Sequence, residues 1–214
     1  MDKTRRTIET YDQCAESFEQ KFMDLALYKD SLTCFSERLR PGDAVLDLGC
    51  GPGNVSKFLT ERVRDLHLLG IDLSEEMVRL ARKNVPGAEF RAWDIRKLRL
   101  ENRSFDAVVA AFCLPFLYDA EAEALIHRVG SLLKPGGQAY LSCMEGDGAG
   151  FETTSFSSGK EMFFNYFSED FLVNAFTAGQ LEIRRRIRQD YPEADGSITT
   201  DMIFILEKTD TASA

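Results

Sequence analysis

The segment richest in chemical content is Val45-Leu46-Asp47-Leu48-Gly49-Cys50-Gly51-Pro52-Gly53-Asn54, an apolar run that breaks into a glycine-rich turn. Glycines at 49, 51 and 53 allow a tight turn and let a ligand approach where a Cβ would collide. Asp72 closes a second apolar run 19 residues beyond Gly53, the separation at which a carboxylate can accept both hydroxyls of a ribose. A nucleoside-bearing ligand is therefore expected.

Two ribose-containing cofactors compete for this pattern, and phosphate separates them. A dinucleotide site would read GxGxxG, with glycine at position 54 and a helix N-terminus facing pyrophosphate. Position 54 is Asn, and the spacing is DxGxGxG. Asp47 sets a negative charge just before the loop, unfavourable for pyrophosphate and suited to an ammonium and a sulfonium. The charge pattern thus favours S-adenosyl-L-methionine over NAD. Cys50 lies in the loop with no identifiable base beside it and reads as packing rather than as a nucleophile. Taken alone, Asp72 also reads as a strand-end cap for the next helix, but Ser74 is the better cap. Trp93 reads as core rather than as an adenine stacker. His67 and His127 read as a strand residue and a helix-surface residue, and no metal site is expected.

These residues need elements to position them. From Pro41 onward, short apolar runs (44–48, 66–71, 90–93, 105–112 and 138–144) alternate with segments of helical period. Val55, Phe58, Leu59 and Val63 mark one helix. Ser74, with Glu75 and Glu76 in the first turn, opens a second, and 120–133 forms a third, stopped by Lys134, Pro135 and Gly136. Strand and helix alternating in this way predict a parallel sheet covered on both faces, with ligands beyond the carboxyl ends of the strands near the switch point. Residues 1–40 read as two helical pieces that could form a lid over that edge. After Gly146 come a Gly/Ser/Thr-rich stretch to Gly159, an aromatic run at 162–167 and a helix capped by Ser168. Two terminal strands follow, near 182–188 and 198–207. Seven phenylalanines fall between 151 and 176; they read as the apolar face of a helix and packing on the sheet, or else as a cover over a flat, greasy ligand.

The ordered set VLDLGCGPG (45–53), IDLSEEM (71–77), AWDIRKL (92–98), SFDAVVAAFCLPF (104–116) and LLKPGGQAYLS (132–142) resembles the class I S-adenosylmethionine-dependent methyltransferases, in particular small-molecule enzymes with a ubiquinone-biosynthesis-like core. The resemblance covers roughly 41–145. It implies a doubly wound α/β domain of Rossmann-like type with a mainly parallel seven-stranded sheet, helices on both faces and an antiparallel last strand. That domain would span 41–214, with 146–180 as a substrate-side insertion. It also implies that Gly49 and Gly51 line the methionyl part, with Cys50 and Asn54 completing the loop, and that Asp47 helps hold the amino group. Asp72 would take the ribose, with Leu73 and Met77 beside the adenine. Asp94 would accept from the adenine amine, and the Ile95 amide would meet the ring. Ala111 and Phe112 would lie beneath the sulfonium, and Lys134–Gly137 would be a structural turn.

Transfer of a methyl group from a sulfonium mainly requires alignment and exclusion of water. A base is needed only where the acceptor must lose a proton. Candidates are Glu145, just after the fifth strand, with Asp147, Tyr11, Tyr28 and Tyr166; Glu145, Tyr11 and Tyr166 are carried forward as catalytic. The acceptor is expected to be a small molecule. With 35 acidic against 26 basic residues and a net charge of −9, nucleic acid is not expected as partner. The Arg184, Arg185, Arg186 and Arg188 cluster reads as the solvated part of a late strand. Five cysteines at least 16 residues apart form no CxxC pair, so reduced thiols in a cytoplasmic protein, monomer or homodimer, are the default. Neither a signal peptide nor a membrane span is expected. The alternatives carried are a NAD(P)-dependent oxidoreductase and a non-catalytic S-adenosylmethionine-binding sensor or partner subunit.

Overall fold

The computed structural model describes residues 2–193 and 196–209. Two N-terminal helices, α1 (Lys3–Phe22) and α2 (Lys29–Ser36), flank a single 3-10 turn at Ala26–Tyr28. The alternating core follows: β1 (Ala44–Leu48), α3 (Asn54–Arg62), β2 (His67–Asp72), α4 (Glu75–Asn84), β3 (Glu89–Ala92), β4 (Phe105–Ala111), α5 (Asp119–Leu132) and β5 (Leu133–Met144). The remaining elements are the hairpin strands β6 (Ala149–Thr153) and β7 (Glu161–Asn165), then α6 (Glu169–Ala178), β8 (Leu181–Pro192) and β9 (Ile198–Lys208).

The main sheet has seven strands in the order β3-β2-β1-β4-β5-β9-β8. All pairings from β3 to β5 are parallel, and β9 runs antiparallel to both β5 and β8. Strand alternation splits the core in two. Leu46, Leu48, Val108, Ala110, Leu141 and Phe204 face α5 and α6, whereas Val45, Val109, Tyr140, Ile203 and Ile205 face α2, α3 and α4. Such two-sided burial explains why β1, β4 and β5 read as continuous apolar runs. Strand order reverses between β1 and β4, which opens a crevice at their carboxyl ends. The caps are those the sequence predicts: Ser74 Oγ accepts the Met77 N–H at 3.1 Å and Ser168 Oγ the Phe171 N–H at 3.3 Å.

Three local expectations are corrected. Lys134–Gly137 is not a turn ahead of the fifth strand but a bulge inside it, the register jumping from Phe105↔Leu133 to Ala107↔Gln138. Lys134 is held there by Asp106 at 2.7 Å. Residues 149–165 form a separate two-stranded sheet, which extended, ladder-paired backbone favours over the helical face expected for part of the phenylalanine set. Trp93 is not core: it is 39% exposed, with the Arg91 guanidinium 4.8 Å from its ring. The arginine cluster is exposed on β8, where Arg184 pairs with Glu182 and Glu207, Arg186 with Glu169, and Arg188 with Glu145. All five thiols are free.

Candidate functional site

The turn after β1 is built by hydrogen bonds from its own amides. Gly49 N–H and Cys50 N–H both donate to Ile71 O, at 2.7 and 3.0 Å, and Gly51 N–H donates to Asp72 Oδ2 at 2.9 Å. Gly49 adopts φ +67°, and a Cβ there would lie 2.6 Å from Cys113 Cβ, so only glycine lets β1 and the end of β4 approach this closely. Asp72 Oδ1 accepts Ser74 N–H at 2.9 Å. Burial raises the Asp72 carboxyl above its ordinary range, with these amide hydrogen bonds opposing. Each oxygen keeps a lone pair for a further donor.

Asp47 is 1% exposed, and Ser56 Oγ donates to its Oδ2 at 2.6 Å. Burial pushes its carboxyl up to about 6; the Ser56 hydrogen bond opposes this and the charge of Asp72 adds to it. A buried anion with no cation beside it is costly until a cation arrives. These acceptors thus fit an ammonium at Asp47 and vicinal hydroxyls at Asp72, and among the described residues no lysine or arginine pairs with either carboxylate.

Both carboxylates line one cavity of about 680 Å³ at the carboxyl edge of the sheet. The same cavity collects Gly49, Cys50, Gly51, Asn54, Leu73, Met77, Asp94, Ile95, Ala111 and Phe112, so every cofactor-shell residue expected from sequence meets there. Their chemistry differs from expectation in places. Asn54 Nδ2 is spent on Phe22 O at 3.0 Å, tying α3 to the end of α1. Burial raises the Cys50 thiol well above its usual value, which leaves it inert. Asp94 takes a two-pronged grip from Arg96, at 2.9 and 2.8 Å. Burial alone would raise Asp94, but the Arg96 hydrogen bonds together outweigh it and hold the carboxylate low. Arg96 Nη1 continues to Glu121 Oε1 and Thr4 Oγ1, and Lys3 Nζ reaches Glu121 Oε2 at 2.8 Å. The start of α1 is thereby fastened across this corner. Phe112 holds φ +55° at the end of β4, its N–H donating to Ser142 Oγ at 3.1 Å; a bulky residue in this region is strained by roughly 1–3 kcal/mol.

The catalytic candidates fare less well. Glu145 lies outside the cavity lining, its carboxylate gripped by Arg188 through two bonds of 2.7 Å, which hold it below the usual range. Asp147 is exposed and likewise outside the lining. Tyr11 and Tyr166 do line the cavity, but burial first, and then Asp72 or Glu152, push both phenols above their ordinary value. Such phenols keep their protons near neutrality. Sequence reasoning missed Ser56, Arg96 and Asp201. Only Asp201 left a signal, as a lone carboxylate heading an apolar strand. Among the described residues no group of side chains could hold a metal, and no helix is long and apolar enough to cross a membrane.

Residues 45–137 match the family described as "Methyltransferase domain". The match spans 93 residues, a little under half of the chain. The matched stretch contains the glycine turn, Asp72 and Asp94, while β8, β9 and the hairpin lie outside it. Trans-aconitate 2-methyltransferase of Variovorax paradoxus is 38% identical over 93 residues, 44% of this chain and 35% of that protein. The chain spans about a third of the length of the first curated relatives it matches. A Methanosarcina mazei SAM-dependent methyltransferase structure superposes with a TM-score of 0.71 at 24% identity, covering 82% of this chain and 97% of that one. The Burkholderia thailandensis 1,6-didemethyltoxoflavin-N1-methyltransferase, solved with S-adenosylhomocysteine and 1,6-didemethyltoxoflavin, has a TM-score of 0.66 at 21% identity, over 98% and 92% of the two chains. At these identities the structural likeness speaks for the fold.

Proposed function

We propose that the chain is an S-adenosylmethionine-dependent methyltransferase acting on a small-molecule acceptor. The observation that carries this is the pairing of Asp47, buried without a cation, with Asp72, which keeps free lone pairs, across a glycine turn at the switch point of the sheet. S-adenosylmethionine, when bound, supplies an electrophilic methyl group on a sulfonium. Asp47 would hold its amino group and Asp72 its ribose hydroxyls. Gly49, Cys50, Gly51 and Asn54 would line the methionyl side, Leu73 and Met77 would flank the adenine, and Asp94 and the Ile95 amide would meet the ring edge. Ala111 and Phe112 form the floor from β4. Residues 1–40 act as a lid and 146–180 as the acceptor-side insertion: Tyr11, Phe18 and Phe22 of α1 pack on Phe156 of the hairpin loop, which excludes water from the crevice between them.

The test is release of labelled methyl from S-adenosylmethionine into a panel of amine, hydroxyl and thiol acceptors. Transfer to one class supports the reading. Binding of S-adenosylhomocysteine with no transfer to any acceptor would leave a sensor, and binding of NADH in its place would leave an oxidoreductase.

A further inference from the structure

Asp201 heads the apolar part of β9, opposite Met144 of β5. Two strands separate β9 from β1, so Asp201 stands roughly 14 Å along the sheet edge from the strand that carries Asp47. It is 3% exposed, lines the cavity, and accepts the Tyr28 hydroxyl through Oδ2 at 2.7 Å. Among the described residues no lysine or arginine pairs with it. Burial pushes its carboxyl up to about 6, the Tyr28 hydrogen bond opposing and the charge of Glu193 adding, so it is an anion at neutral pH. Tyr28 in turn sets its ring edge-on to Phe112 at 5.1 Å, which joins Asp201 to the floor of the cavity. Thr154 Oγ1, buried without a hydrogen-bond partner, lines the same space. The only arginine or lysine in the described lining is Arg96, already held by Asp94 and Glu121.

Building on the methyltransferase reading, we infer that the Tyr28–Asp201 pair receives the acceptor, and that the acceptor is an amine with an apolar or aromatic body, bound through its ammonium group, which must give one proton to Asp201 so that the nitrogen lone pair is free to take the methyl group. An ammonium would give Asp201 the counter-charge the fold withholds, in a site where a charge-assisted hydrogen bond is strong. Aromatic faces, those of Tyr28 and Phe112 among them, also attract a cation. A carboxylate or phosphate acceptor would set a second anion against Asp201, and an alcohol would leave the buried charge uncompensated.

Calorimetry on the full chain, with and without S-adenosylhomocysteine, tests this using three probes of one shape and different charge: 2-phenylethylamine, 2-phenylethanol and phenylacetate. The amine is expected to bind at least about ten-fold more tightly than the alcohol, and phenylacetate most weakly, as loss of a charge-assisted bond implies. Asp201→Asn should abolish the amine preference. Tyr28→Phe, which keeps the ring against Phe112, should reduce it by a smaller factor and carries the test if Asp201→Asn does not fold. S-adenosylhomocysteine affinity should be unchanged in both variants. Equal binding of the three probes, binding of none, or an amine preference that survives Asp201→Asn would overturn the inference. A chain that shows the amine preference but ignores S-adenosylhomocysteine would keep this site and defeat the methyltransferase reading instead.

Discussion

A buried carboxylate without a cation raises the free energy of the fold when it is ionised, and Asp47, paired with no lysine or arginine among the described residues, is such a group. Its ordinary unfolded value is about 3.9, and burial sets the folded value at about 6. Between the two the folded state binds more protons, so this residue costs stability as pH rises through that window and costs the full amount above it. Asp47→Asn keeps an oxygen for the Ser56 hydroxyl and removes the charge. The variant should match the parent near pH 3 and exceed it by about 2–3 kcal/mol at pH 8, two units at about 1.4 kcal/mol each. Chemical unfolding at the two pH values measures this; a difference independent of pH would contradict it. The placement of Asp47 and Asp72 beside one turn was legible in the sequence because it follows from short-range spacing. Asp201 and Arg96 were not, because their meaning comes from partners far away in the chain, Tyr28 at a separation of 173 residues and Thr4 at 92.

The elements that shape the cavity differ in what holds them. β1, β2 and β4 are locked between two helical layers, whereas α1 meets the hairpin through a compact aromatic group. Phe156 is 7% exposed, with ring centroids 5.6 Å from Tyr11, 5.0 Å from Phe18 and 5.7 Å from Phe22. Phe156→Ala removes a buried aromatic ring, a loss of about 3–5 kcal/mol at a fully buried site. It should fall on α1 and the hairpin before the sheet. Hydrogen exchange should show faster exchange in 3–22 and 149–165 with protection of β1 and β4 kept; equal acceleration throughout would show that these elements open only with the whole fold. Periodicity made the central elements legible, and Ser74 and Ser168 were correctly read as caps. The hairpin was obscured because its Gly/Ser/Thr-rich first half and aromatic second half do not alternate in the two-residue rhythm that marks a strand. The bulge at Lys134–Gly137 was obscured because Pro-Gly-Gly signals a turn whether or not ladder pairing resumes on both sides of it.

At the scale of the whole molecule, sheet order decides where the chemistry collects. Reversal between β1 and β4 places the glycine turn, Asp72 and Phe112 around one opening, and the antiparallel β9 brings Asp201 to the far side of the same opening. The doubly wound architecture was legible from alternation alone, and the antiparallel final strand came from the family resemblance. Charge at this scale is consistent with the site: a net −9 on the chain accompanies a cavity whose carboxylates outnumber its cations, so positively charged ligands are drawn in and phosphates repelled. The account depends on a nucleoside with a charged amino-acid tail occupying the space between Asp47 and Asp72. Its most direct measurement is calorimetric titration of S-adenosylhomocysteine and, separately, NADH into the parent chain and Asp72→Ala. The parent should bind S-adenosylhomocysteine and not NADH, and the variant should bind it about 10–100-fold more weakly because the ribose hydroxyls lose a charged acceptor. Undiminished binding to Asp72→Ala, or NADH bound in preference, would contradict the account.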